Sequence, residues 1–230
     1  MSIYYQDDLV TLYHGDCLGE HREWLEADVL VTDPPYGIRW KARPGGYKGG
    51  PGQSGAHVRD AVAGDTDTDI RDQVLTMWGK RPAIVFGSWR APRPEGVRSR
   101  LIWHKRGSSP GPLNAAFMAN DEEIYVIGEG WRKSSPPLRS VITTTESRSA
   151  EVSRIGHPTP KPVSLMERLI EKCPPGVVAD PFVGSGATLV AAVNQGRKVI
   201  GVELEERYCE IIATRLANQT MTLDFSGGAL

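Results

Sequence analysis

Cysteine is scarce in this chain. Its three copies, Cys17, Cys173 and Cys209, are widely separated and form no Cys-x-x-Cys pair, which excludes a disulfide framework and leaves a zinc site without support. They read as structural thiols in a reducing compartment. Long apolar runs are missing as well: nothing approaches the roughly 18 uninterrupted apolar residues of a membrane span. The first ten residues, MSIYYQDDLV, carry neither a basic region nor an apolar signal core. No membrane partner and a cytoplasmic location are therefore expected. Net charge is nearly absent at -1, which argues against a generic nucleic-acid binder. No internal repeat is evident.

The 230 residues are 40% hydrophobic and 24% charged, an ordinary globular balance with enough chain for one core. The expectation is a single domain over 1–230. Charge is distributed less evenly than its sum suggests. Between Arg39 and Arg59 stand Arg39, Lys41, Arg43, Lys48, His57 and Arg59 without an acid, and Arg90 to Arg106 adds six more cations against Glu95 alone. Composition leaves a solvated surface and a polyanion-binding face equally open.

DLVTLYHGD, ADVLVTDPP, RPAIVFGS, SRLIWHK and EEIYVIGEG each read as a short strand bounded by turn residues. IRDQVLTMWGK reads as a connecting helix. In the last third, Leu165, Met166, Leu169, Ile170 and Cys173 share a helical face; GVVADPF is a strand, ATLVAAVNQG a helix, KVIGVEL a strand, and Tyr208, Ile211, Ile212 and Leu216 mark a final amphipathic helix. Strands alternating with helices imply right-handed crossovers. The fold class is thus α/β, a mostly parallel twisted sheet with helices on both faces, and ligands belong at the carboxyl ends of the strands. Two segments escape the scheme: 39–64 is too rich in Gly and Pro for a packed element, and 131–156 is polar with scattered Arg, Ser and Thr. Such insertions are lids or disorder.

Two strand ends carry chemistry. In DPFVGSG, Asp180 is followed by a Gly184-Ser185-Gly186 turn that opens a helix, bringing backbone N–H groups close to a ligand. On its own this fits any nucleotide-binding turn or plain strand–helix packing. The next strand ends on Glu203, about 20 residues on, where an α/β nucleotide site places a carboxylate for ribose hydroxyls. A dinucleotide fingerprint wants a third glycine where this chain has Leu189, so adenosine without a pyrophosphate fits better. In VTDPPYGI, two prolines fix the backbone so that the Asp33 carboxylate and the Pro34 carbonyl can converge as acceptors. Two convergent acceptors hold a planar NH2 group and free its lone pair, and Tyr36 supplies a stacking face.

DPPY together with DPFVGSG resembles the S-adenosylmethionine-dependent DNA amino-methyltransferases that modify N6 of adenine or N4 of cytosine. The order of the two motifs resembles the permuted beta group. YHGDC (13–17), LIWHK (101–105), EEIYVIGEG (122–130) and HPTPKP (157–162) extend the likeness over most of the chain. The resemblance implies a Rossmann-like methyltransferase fold with an antiparallel edge hairpin, and S-adenosylmethionine as cofactor. It implies that Asp180, Phe182, Gly184, Ser185 and Gly186 line the cofactor pocket, that Glu203 holds the ribose, that Asp16 lies near the adenine and Lys161 near the methionine carboxylate. Pro160, where the family usually has glutamine, departs from the pattern. Asp33, Pro34, Pro35 and Tyr36 would form the target-base site. The partner implied is double-stranded DNA, with the base flipped out of the duplex. Arg39, Lys41, Arg43 and Lys48 would contact DNA backbone, and 131–156 would contribute to target recognition. A homodimer is common in the group resembled, without a nameable interface.

Competing readings are weaker. A cytosine-C5 enzyme needs a nucleophilic thiol, commonly after a proline, whereas Cys173 precedes Pro174. Cytosine-N4 chemistry is the same as adenine-N6, but the family tends to place serine where Asp33 stands, favouring adenine. RNA or protein amino-methyltransferases more typically begin the motif with asparagine, and a catalytically silent DNA binder would not need Asp33, Tyr36, Gly184 and Gly186 intact.

Overall fold

The computed structural model describes residues 3–39, 63–106, 119–133, 136–145 and 160–226, the stretch 219–226 as backbone only. Lys41, Arg43 and Lys48, most of the 39–64 insertion, and 146–159 lie outside the described residues.

Nine strands form one sheet among the described residues: β1 (Ile3–Gln6), β2 (Val10–His14), β3 (Val29–Thr32), β4 (Ala83–Gly87), β5 (Val97–Lys105), β6 (Asp121–Ile127), β7 (Val141–Thr144), β8 (Val178–Asp180) and β9 (Val199–Glu203). Their spatial order is β1-β2-β9-β8-β3-β4-β6-β5-β7. The block from β2 to β4 is parallel throughout; β6 runs antiparallel to both β4 and β5, and β1 closes the far edge against β2 as an antiparallel hairpin. The α/β class and its antiparallel portion agree with the sequence reading. Four helices, α1 (Asp69–Trp78), α2 (Val163–Ile170), α3 (Ala187–Asn194) and α4 (Glu206–Ser226), and a 3-10 turn over Glu23–Glu26 complete the described fold.

The strand β7 corrects the reading of 131–156 as wholly irregular. Its sequence VITT is β-branched throughout and alternates exposed and buried positions, with Ile142 and Thr144 inward, and it pairs parallel to β5 from Val141 to Thr144. A run of only four residues amid polar chain gives too little periodicity to be seen in advance.

Alternate residues of the central strands feed two cores. Val29, Val31, Ile84, Phe86, Val178 and Val199 pack with α2, α3 and α4; Leu30, Ala83, Val85, Ala179 and Val202 pack with Trp24, Val74 and Trp78 on the opposite face. Helix α3 is buried at every position from Ala187 to Ala192, which explains why ATLVAA is small and apolar. Because β3 and β8 are neighbours, the two strand ends singled out in the sequence emerge side by side.

Candidate active site

A cavity of about 610 Å³ opens at the carboxyl ends of β3, β4, β8 and β9, well within the size of small-molecule sites. Its wall includes Asp16, Cys17 and Leu18 after β2, the whole of Asp33–Tyr36 after β3, Ser88 and Trp89 after β4, Asp180 to Ser185 after β8, and Glu203 after β9. One cavity therefore brings together Asp33, Pro34, Pro35 and Tyr36 with Asp16, Lys161, Asp180, Phe182, Gly184, Ser185 and Glu203. Gly186 stands just behind, at the start of α3, in left-handed backbone (φ 83°).

The half of the cavity around β8 and β9 is built from backbone donors and acids. The Glu203 carboxylate accepts from the Gly184 N–H at 2.7 Å and from the Glu205 N–H at 2.9 Å. Burial still outweighs these bonds and pushes its carboxyl up to about 7. Asp180 accepts from the Thr32 hydroxyl (2.7 Å) and from the Phe182 N–H (3.0 Å), which ties the two strand ends together. Burial lifts it to about 6 against the hydrogen bonds of Thr188, Thr32 and Phe182. Asp16 is exposed at the rim, and its carboxylate caps the Leu18 N–H (2.9 Å).

The half around β3 is a cluster of four charges and a phenol. The Tyr36 hydroxyl lies 2.7 Å from Asp33 Oδ1 and 3.1 Å from Glu122 Oε2. The Lys161 ammonium is bonded to Asp33 Oδ2 and lies 3.3 Å from Glu122 Oε2; Lys105 is bonded to Glu122 Oε1. Lys161 is 7% exposed and has the rings of Phe86 and Tyr36 within 5.0 and 5.6 Å of its nitrogen. Burial opposes the charge of Glu122, but Lys161 and Lys105 together outweigh it and hold that carboxyl down at about 2. Asp33 is pushed the other way, raised by burial and by Glu122 against the pull of Lys161.

The turn after DPPY is fixed by an acid that the sequence did not single out. Gly37 adopts φ 74°, its N–H donates to Asp65 Oδ1 at 2.6 Å, and a Cβ there would stand 2.5 Å from the Asp67 carbonyl carbon. Only glycine fits.

Several expectations shift in this geometry. Lys161, expected near the cofactor's methionine carboxylate, is engaged in the free protein by Asp33 and Glu122, because a buried ammonium needs carboxylate partners and these two are nearest. Glu122 was read only as part of a strand, and Lys105 as part of a strand and of the basic stretch 90–106. The available signal was the Asp121-Glu122-Glu123 run that opens a strand otherwise apolar: alternation sends Glu122 and Glu123 to opposite faces. Glu123 turns away to Arg93, Arg100 and the Tyr125 hydroxyl, so part of the basic stretch 90–106 is neutralised internally rather than offered to a ligand. Arg39 is exposed, at φ 52°, with its N–H on the Asp65 carbonyl. Cys173 is no nucleophile: its thiol donates to the Leu169 carbonyl, and burial pushes it up to about 12. Among the described residues there is no metal-binding cluster, and no helix is long and apolar enough to cross a membrane.

This architecture is shared with known proteins. The M1.HpyAVI–SAM complex superposes over 90% of this chain and 99% of its own, with a TM-score of 0.64 at 19% identity. The type II methyltransferase M.ScaI of Streptomyces caespitosus is 26% identical over 96% of this chain and 85% of its own length, and YubD of Escherichia coli strain K12 is 32% identical over 83% and 82%. The family model for N6/N4 DNA methylases matches residues 94–214. Spanning more than half of the chain, that match establishes that the protein belongs to the adenine-N6/cytosine-N4 DNA methylases.

Proposed function

We propose that the protein transfers a methyl group from S-adenosylmethionine to the N6 amine of an adenine flipped out of double-stranded DNA. The observation that carries this reading is the single cavity that holds the Asp33 carboxylate at one end and the Gly184 turn with Glu203 at the other. The donor set suits the cofactor: an apolar ring face at Phe182, the exposed acid of Asp16, and a buried carboxylate at Glu203 able to accept from ribose hydroxyls. Bound there, S-adenosylmethionine supplies an electrophilic methyl group on a sulfonium.

The chain's own residues prepare the nucleophile. Asp33 accepts one hydrogen of the exocyclic amine and the Pro34 carbonyl the other, which draws the nitrogen toward tetrahedral geometry and exposes its lone pair. Tyr36 presents its ring to the flipped base, its hydroxyl held by Asp33 and Glu122. The nitrogen then carries an extra proton, and the half-buried Asp33, its carboxyl raised from the ordinary value, is a competent acceptor for it. Asp33 in place of serine supports adenine; cytosine N4 is the second reading, since the same acceptors hold either amine. Arg39, together with Lys41, Arg43 and Lys48, is assigned to DNA backbone. The residues 1–230 act as one catalytic unit. The type II relative M.ScaI supports a place in restriction-modification.

Incubation with unmodified DNA and isotope-labelled S-adenosylmethionine, followed by digestion to nucleosides and mass spectrometry, tests this. Labelled N6-methyladenine is expected. Labelled N4-methylcytosine would keep the mechanism and overturn the base; no label on DNAs of varied sequence would overturn both.

The Glu203 carboxyl near 7 gives a pH signature. Its ionised form is the better acceptor for ribose hydroxyls, so the dissociation constant of S-adenosylmethionine should rise up to about tenfold for each unit below neutrality and level off above about pH 8. Titration calorimetry in buffers of different ionisation enthalpy should show proton release on binding near pH 7. Glu203→Gln should bind weakly and without this dependence; a flat profile in the unaltered protein would remove Glu203 from the ribose.

A further inference from the structure

The charges gathered around Asp33 exceed what holding an amine requires. Two acceptors, one carboxylate oxygen and one carbonyl, suffice for two hydrogens, yet three more ionisable side chains converge from separate elements. Glu122 comes from β6, Lys105 from β5 and Lys161 from the segment entering α2, and all three line the same cavity as Asp33. The Tyr36 hydroxyl has one hydrogen but two carboxylate oxygens within reach, Asp33 Oδ1 and Glu122 Oε2. One of those carboxylates is therefore always the poorer partner. Glu122 has compensation, since Lys105 holds its other oxygen and Lys161 lies 3.3 Å from the shared one. Among the described residues Asp33 has Lys161 alone as a cationic partner, and the Asp180 carboxylate repels it from β8.

We infer that Glu122 and Lys161 are positioning residues that set the charge of Asp33 from opposite sides. Lys161, itself buried, keeps the half-buried Asp33 an ionised acceptor at the cavity wall. Glu122 divides the attention of Lys161 and of the Tyr36 hydroxyl, so that Asp33 remains the more basic of the two carboxylates and can take the proton shed by the methylated nitrogen. Pairs of carboxylates whose surroundings drive their proton affinities apart are how acid–base roles are divided within one site. An ion pair kept only for stability would have no such asymmetry. It would also tolerate replacement by apolar side chains of similar volume. The inference rests on the assignment of Asp33 to the target amine.

The two substitutions must act in opposite directions. In the free protein, with carboxyl carbons labelled and the Asp33 resonance identified by its loss in Asp33→Asn, Lys161→Met should raise the Asp33 pKa by roughly one to three units and Glu122→Gln should lower it. The acid limb of the single-turnover methyl-transfer profile should move the same way in each variant, and Lys161→Arg should return toward the unaltered protein. If Lys161→Met does not fold, the downward shift in Glu122→Gln and the near-normal titration of Lys161→Arg still carry the inference. Shifts in one common direction, or none in variants with native circular dichroism, would overturn it. The carboxyl titration needs no turnover. Labelled methylcytosine from the unaltered protein would change the base and leave this inference in place, whereas no label would sink the functional reading while the carboxyl titration still stood or fell by itself.

Discussion

Asp33→Asn should slow single-turnover methyl transfer at least about a hundredfold, equivalent to roughly 2.7 kcal/mol of transition-state stabilisation, while cofactor affinity stays close to that of the unaltered protein. The substitution keeps shape and removes charge. An amide offers one acceptor oxygen and one NH2, and both positions are already claimed by donors, the Tyr36 hydroxyl on one side and the Lys161 ammonium on the other. Whichever way the amide turns, its NH2 opposes a donor, and Lys161 is left with Glu122 as its carboxylate partner in the site. The aminium formed on transfer then loses its nearest base. Cofactor binding is insulated because the Gly184 turn and Glu203 sit at the other end of the cavity, on β8 and β9. Rapid-quench transfer with saturating DNA, read beside calorimetric binding of S-adenosylmethionine, separates the two quantities. A rate within tenfold of normal would mean that the Pro34 carbonyl and stacking on Tyr36 suffice, and that Asp33 serves the turn rather than the reaction.

The two strand-end motifs that line this cavity were legible in the sequence, and the partners gathered around Asp33 were not. DPPY and DPFVGSG announce themselves because each combines an apolar strand, an acid at its end, and residues that fix backbone shape, all within seven or eight positions. That β3 and β8 run parallel agrees with the alternation of strands and helices, which does not by itself make them neighbours. The Asp33, Glu122, Lys105 and Lys161 cluster has no such local signature. Its members are contributed by four elements, and their meeting depends on the register of β5 against β6, where Trp103 stands opposite Glu122. A slip of one residue would have turned Glu123 inward instead. Lys161 lay within a recognised motif, and the resemblance assigned it to the cofactor; only its distance to two carboxylates shows what it touches in the free protein. Edge strands were missed for a different reason. β1 is a four-residue edge with little burial, and β7 a four-residue edge amid polar chain, so neither carries enough hydrophobic pattern to stand out.

Trp24→Ala should cost about 3–5 kcal/mol of folding stability, a large part of the roughly 5–15 kcal/mol expected for a domain. Trp24 is wholly buried on the 3-10 turn and stacks on Trp78 of α1 with ring centroids 5.9 Å apart and planes 16° from parallel. The Arg81 guanidinium covers the Trp78 ring at 3.6 Å and donates to the carbonyls of Leu25 and Ala27. These two indoles and the guanidinium thus close one face of the sheet, over Leu30, Val85 and Val202. Truncation at Trp24 opens a cavity that the rigid strands cannot collapse to fill. It also orphans the Cys17 carbonyl, which now accepts from the indole N–H at 3.0 Å, adding about 1 kcal/mol or more. Cys17 and its neighbours Asp16 and Leu18 line the cavity at the cofactor end, so the damage reaches function. Trp24→Phe, which keeps a stacking ring but loses the N–H, should unfold at an intermediate denaturant concentration and bind S-adenosylmethionine more weakly than the unaltered protein, with the rate of transfer at saturation little changed. Denaturant unfolding followed by circular dichroism measures the first effect and calorimetry the second. An unfolding free energy for Trp24→Ala within about 1 kcal/mol of normal would show that the stack fills space without supporting the fold. Normal cofactor affinity in Trp24→Phe would show that the Cys17 loop holds its shape without the indole.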